Sequence, residues 1–182
     1  MVRSSFAPSQ MRRLLRITSL GLMVLIGQLW GSAEAMDRSE VIAKMKEKRP
    51  PNLMVLIERP DVGGNYLLGM YAVERDTTNK DLRRYKLWQE WPTDLNIHSE
   101  TVSCDVEEPL RVARDGQSIY VRRLNPGGDV VPATREDHLV WWAACVPDMA
   151  GKDPVTLKET ALSLGYSTVL VESQEVLRVP DY

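Results

Sequence analysis

Histidine and cysteine are scarce in this 182-residue chain, two of each, and phenylalanine occurs once, as Phe6. So few of these residues exclude most nucleophile-and-base and metal-ligand arrangements. There is no Cys-x2-Cys or His-x3-His pair, no Gly-x-Ser-x-Gly, and no glycine loop ending in Lys-Ser/Thr. Gly63-Gly64 and Gly127-Gly128 lack the strand-to-helix setting of a phosphate cradle and read as turn glycines. No repeat or low-complexity tract is present. A surplus of positive charge is missing too: 23 basic and 25 acidic residues give a net charge of −2.

A long apolar run is also absent. The one candidate, Ile17–Leu29, is interrupted by Thr18, Ser19 and Gln28, whereas a membrane span needs about 20 apolar residues. What stands there instead is a leader: Arg3, Arg12, Arg13 and Arg16 with no acidic residue, then the short apolar run, then Ala33-Glu34-Ala35. A basic segment, an apolar core and an Ala-x-Ala end make a secretory signal. The reading is therefore residues 1–35 as signal peptide and 36–182 as one exported domain, periplasmic or secreted, with no transmembrane span once the leader is removed. The rival is a retained anchor. Arg12-Arg13 lacks the surrounding residues of a twin-arginine signal. Taking away four arginines and Glu34 leaves 19 basic and 24 acidic residues, about −5 net, which argues against nucleic acid or an anionic membrane face as partner.

Cys104 and Cys145 are both in the mature part, and exported proteins meet an oxidising compartment. A disulfide is the favoured reading; it would close a loop worth about 4 kcal/mol of chain entropy. The alternatives are free thiols, or a two-Cys, two-His site completed by His98 and His138, whose spacing is looser than zinc sites use. No metal or cofactor is expected.

The remaining signals are structural. Asp37 to Arg49 reads as a short amphipathic helix capped by Asp37, with Glu40 reaching back, and Pro50-Pro51 stops it. Leu53–Ile57 and Tyr66–Val73 flank a Pro/Asp/Gly-rich turn and predict a hairpin. In Tyr85–Trp91 alternation puts Tyr85, Leu87, Gln89 and Trp91 on one face and Trp88 on the other. Ile97–Val106 reads as a strand with Val102, Cys104 and Val106 inward. Asp115-Gly116, between two β-prone runs, is the strongest hairpin signal in the chain. His138–Val146, apolar on both faces before Pro147, predicts a buried central strand, with a short helix as the alternative. Asp153-Pro154 opens a helix that Gly165 closes, and strands are expected at Thr168–Val171 and Val176–Val179. The fold class is α+β: mainly an antiparallel sheet, or a small barrel, of short hairpin-linked strands, with an N-terminal helix and one near the C-terminus.

Candidate chemistry is thin. His98 with Glu100, or His138 with Asp137, offers a histidine beside a carboxylate for acid–base work. The acid pairs Glu107-Glu108 and Glu136-Asp137 point to opposite faces of an extended chain and read as solvated turns. Arg83-Arg84 and Arg122-Arg123 offer an anion site if their strands are neighbours, or simply charge a sheet edge. Trp88, Trp91, Trp141 and Trp142 are four aromatic rings that line a pocket, present a surface to a partner, or fill the core. Two functions stay open. One is a non-catalytic binding or accessory protein of the cell envelope, for a small molecule or another envelope protein. The other is a small extracytoplasmic hydrolase built on a His/carboxylate pair.

Overall fold

Alternating apolar and polar residues from Met54 to Arg123 build six strands in succession, each joined to the next by a short turn. The computed structural model describes residues 37–179; the expected signal peptide lies outside the described residues. The strands are β1 (Met54–Asp61), β2 (Gly64–Arg75), β3 (Leu82–Trp91), β4 (Asp94–Cys104), β5 (Pro109–Asp115) and β6 (Ser118–Arg123). A seventh, β7 (Ser173–Arg178), returns late in the chain and pairs with β6. Every pairing is antiparallel and spatial order follows chain order. β1 and β7 are the two edges and do not pair, so the barrel alternative is not formed. The face that a barrel must fill with side chains is covered here by a helix.

The turn residues act as their chemistry dictates. Gly116 takes φ +55 in the β5–β6 hairpin, the left-handed conformation that glycine tolerates. Ala72 takes φ +50 at the irregularity between Tyr71 and Glu74 where β2 shifts register against β3. It is the one non-glycine residue with positive φ among the described residues.

The expectation of a central strand at His138–Val146 is corrected: Arg135–Cys145 is a helix, α2. Asp137 through Ala144 are all buried. A helix sandwiched between a sheet and further chain is apolar almost all round, so its sequence shows no amphipathic period. The same run of eight buried residues is what a strand covered on both faces would show, and periodicity does not separate the two. The covering chain is a 3-10 turn at Pro154–Leu157 followed by α3 (Lys158–Ser163), which bury Leu157 and Ala161. Asp153 caps this segment by accepting from the Val155 N–H, with Pro154 in the first turn. The expected strand at Thr168–Val171 does not form. That segment is held by a side chain instead: the Asn125 amide donates to the carbonyls of Thr168 and Leu170 at 3.1 and 2.7 Å.

The core joins the sheet to α2. Leu68, Met70, Tyr85, Leu87 and Val102 from the strands meet Val140, Trp141 and Trp142, all essentially inaccessible. Trp141 stacks edge-on to Trp142 and Tyr166 at 5.2 and 5.0 Å, and its indole N–H donates to the Ser103 carbonyl at 2.8 Å. A disulfide between Cys104 and Cys145 ties the end of β4 to the end of α2, with Cα atoms 5.5 Å apart. On the opposite side of β3, Trp88 is buried and donates from Nε1 to Glu90, which pairs with Arg49 at 2.8 Å. Helix α1 (Arg38–Lys46) buries none of its residues and is tied by polar contacts, among them Arg38 to Asp94 at 3.1 Å and Lys46 to the Trp91 carbonyl. Among the described residues no helix is long and apolar enough to cross a membrane.

Candidate functional site

Strand register decides which side chains meet. On the face that α2 covers, Leu87 lies opposite His98, Tyr85 opposite Glu100, Val102 opposite Arg111, Arg111 opposite Arg122, and Arg122 opposite Gln174. That face is therefore mainly apolar from β1 to β3, with Gln89 at its margin, and mainly polar from β4 to β7, where Val102 alone of the residues just named belongs to the apolar core. Toward the start of α2 and the β5–β6 turn, the polar half opens into a trough of about 590 Å³ whose walls include Gln89, Asn96, His98, Arg114, Tyr120 and Arg122, with Glu100 and Arg111 also lining it.

An ion-pair ladder joins the trough to the core. Arg111 sets its Nε and Nη2 on the two oxygens of Glu100 at 2.8 and 3.0 Å, a planar fork on a carboxylate. Its Nη1 reaches Asp137 in the first turn of α2 at 2.6 Å. Arg122 adds a second guanidinium to the same Asp137 oxygen at 3.0 Å and donates from Nε to Gln174 at 2.8 Å. Glu100 also accepts from the Tyr85 hydroxyl and faces His98 Nε2, both at 2.9 Å. Its four acceptor positions are thus filled by protein groups. Burial alone would raise the Glu100 carboxyl, but hydrogen bonds from His98, Arg111 and Tyr85 and the Arg111 charge outweigh it and hold the group at about 2. Burial would likewise make Arg111 easier to deprotonate, and the two carboxylates more than reverse that. Burial, then the Glu100 charge, lifts the Tyr85 phenol well above its ordinary value, so it stays a donor.

The sequence candidates are distributed unevenly by this geometry. His98 and Glu100 are brought together. His138 is wholly buried and bonds through Nε2 to Glu172 at 2.6 Å, not to its neighbour Asp137. On a helix adjacent residues point about 100° apart, so the two cannot act as a pair. The reading of Glu136-Asp137 as a solvated turn is corrected for Asp137, which is buried in the ladder. Arg122 and Arg123 point to opposite faces, as neighbours on a strand must. Arg122 joins the ladder and Arg123 pairs with the exposed Glu108 at 2.6 Å, so the two form no common anion site. Arg83 turns to backbone carbonyls at Lys80 and Leu82, while Arg84 pairs with Asp76. None of Trp88, Trp91, Trp141 and Trp142 lines the trough. Trp141 and Trp142 are core, and Trp91 packs against the Tyr66 ring at 5.4 Å. Cys104 and Cys145 are joined to each other, which removes both from any metal set with His98 and His138.

Sequence reasoning missed Arg111, Tyr120, Gln89, Asn96 and Glu172. Alternation in β5 sets Leu110 and Val112 against Arg111, and the apolar set is the natural choice for the inner face. The structure chooses the other: Arg111 is buried and the two aliphatics are half-buried on the far side. The usable signal was Glu100 on β4, an acid at the inward phase of Val102 that had to find a cation on the next strand. A second concavity of about 580 Å³ lies between β1 and α2, but its Arg135–Asp153 pair is a solvent-exposed contact at 3.0 Å with no buried charge behind it. No family model, no curated protein and no solved structure matches this chain.

Proposed function

We propose that the chain is an exported, non-catalytic binding protein that takes a small polar ligand in the trough over β4, β5 and β6. The observation that carries this reading is the ladder beneath the trough. Glu100, Arg111, Asp137 and Arg122 are locked by mutual ion pairs, which positions the trough walls before a ligand arrives. Preorganised polar walls lower the ordering cost of binding. The leader residues and the disulfide support export.

A hydrolase built on His98 and Glu100 is the second reading, favoured by their 2.9 Å contact. Two features weigh against it. A general base must present a lone pair to the substrate, yet His98 Nε2 is engaged by Glu100 and its Nδ1 is buried away from solvent. The trough walls contain no serine, threonine or cysteine to act as nucleophile.

The test is a thermal-shift screen of polar metabolites on the full exported protein, alongside the Tyr120→Ala variant, with intact mass measured before and after reduction. The reading expects a chain starting at Met36, two hydrogens light until reduced, and ligands that raise the melting temperature of the parent but not of the variant. Turnover of an ester or glycoside that disappears in His98→Ala would replace it with the hydrolase.

A further inference from the structure

We infer that the ligand of this trough is an uncharged, hydroxyl-rich molecule, a short saccharide, an inference that rests on the binding reading above. The charge ledger points there first. Around the trough Arg111, Arg114 and Arg122 are matched by Glu100, Asp115 and Asp137. The buried charges among them are spent on one another. Glu100 has all four acceptor positions filled, so it cannot hold a ligand cation. Arg111 gives its fork to Glu100 and a third donor to Asp137, and Arg122 is held by Asp137 and Gln174. A charged ligand would have to break one of these buried pairs, which is costly, or rest its charge on Arg114 at the exposed rim, whose Nε donates to the Gly116 carbonyl and where solvent screens a charged contact.

An apolar ligand is excluded by the walls, since burying unpaired amides and guanidinium N–H groups against hydrocarbon costs free energy at each one. Away from the Arg114 rim, what remains in reach is neutral and planar. The Asn96 amide donates to Gln89 at the long distance of 3.5 Å, and Gln89 also bonds the Tyr66 side chain, which leaves the Asn96 oxygen and one Gln89 N–H to be shared with a ligand. Planar amides with a donor and an acceptor side by side match the vicinal hydroxyls of a sugar, each of which both donates and accepts. Tyr120 supplies the apolar component: it lines the same trough, with the Arg122 guanidinium 5.5 Å from its ring centroid. The C–H face of a pyranose would pack on the side of this ring that Arg122 does not cover, with its hydroxyls turned to the amides. The volume, about 590 Å³, falls in the range of small-ligand sites.

The experiment is a heteronuclear NMR titration of the full exported protein with maltotriose, cellotriose and N,N′-diacetylchitobiose as neutral probes, and inorganic phosphate and spermidine as charged ones. The inference expects at least one saccharide to shift the amide signals of Gln89, Asn96 and Tyr120. Its affinity should hold within about twofold between about 50 and about 500 mM salt, because a neutral ligand has no charge to screen. It should fall about tenfold or more in Tyr120→Ala and, as a check that needs no buried group, in Asn96→Ala. Phosphate or spermidine shifting those signals while the saccharides do not would overturn the ligand class and leave the trough as the binding site. Saccharide shifts confined to another surface, unchanged in both variants, would overturn the trough as well.

Discussion

The two halves of the inner sheet face are covered by the same helix and solve the problem of burial in opposite ways. From β1 to β3 the strands offer Leu68, Met70, Tyr85 and Leu87 to α2, and contact area holds them, with only the Tyr85 hydroxyl reaching across to Glu100. From β4 to β6 they offer Glu100, Arg111 and Arg122, which are held by partners of opposite charge, one of them on α2 itself. The apolar half tolerates any side chain of suitable volume. The polar half works only as a set, because each buried charge removed strands another. The difference shows where function can sit: the apolar half closes completely, and the polar half leaves an edge that water and a ligand can reach.

Substitutions should separate the halves. Arg111→Ala should be the most damaging change in the polar half, at about 3–5 kcal/mol, because it leaves Glu100 and Asp137 buried without their shared cation. Leu87→Ala in the apolar half should cost about 2–5 kcal/mol through its cavity. Chemical denaturation tells them apart by pH. The Arg111→Ala penalty should shrink in acid, where the orphaned carboxylates can take up protons, and the Leu87→Ala penalty should not move.

Breaking the link at the seam comes next. Replacing Cys104 and Cys145 by alanine should lower stability by about 3–4 kcal/mol in the chain-entropy account of a loop with a sequence separation of 41. An unchanged denaturation midpoint on reduction would show that α2 is held by packing alone.

Acid should act on the polar half specifically. Glu100 has a folded-state value of about 2, below the ordinary 4.5. Its contribution is therefore complete above about pH 4.5 and is lost as the pH falls towards 2, on the order of 3 kcal/mol in all. Stability measured across that window should fall in the parent protein and stay flatter in Arg111→Ala.

The smallest effect sharpens the comparison most. Arg122 and Arg123 are adjacent, but only Arg122 joins the ladder. Arg123→Ala, which breaks the exposed contact with Glu108, should change stability by less than about 0.5 kcal/mol. Arg122→Ala should cost clearly more, and equal costs would mean that the ladder ends at Arg111.

Much of the sheet is legible in the order of residues along the chain. Alternation places Tyr85, Leu87 and Trp91 on one face and Trp88 on the other, and the Asp115-Gly116 turn marks its hairpin. These signals are local, carried by residues within one strand or turn. The helix α2 is not legible, since a segment buried on every side has lost the polar stripe that reveals its period. The candidate site is half legible: His98 and Glu100 stand out two residues apart, while Arg111 is hidden behind the more apolar set of its own strand.

The sequence by itself determined the strand phases, the tight turns and which cysteines were available to pair, because each depends on neighbours along the chain. Tertiary structure decided which phase of β5 faces inward, that Glu172 rather than Asp137 meets His138, and that two arginines share one aspartate. Those outcomes depend on which buried group can reach a partner between 11 and 34 residues away. Only the completed packing of sheet against helix sets that distance.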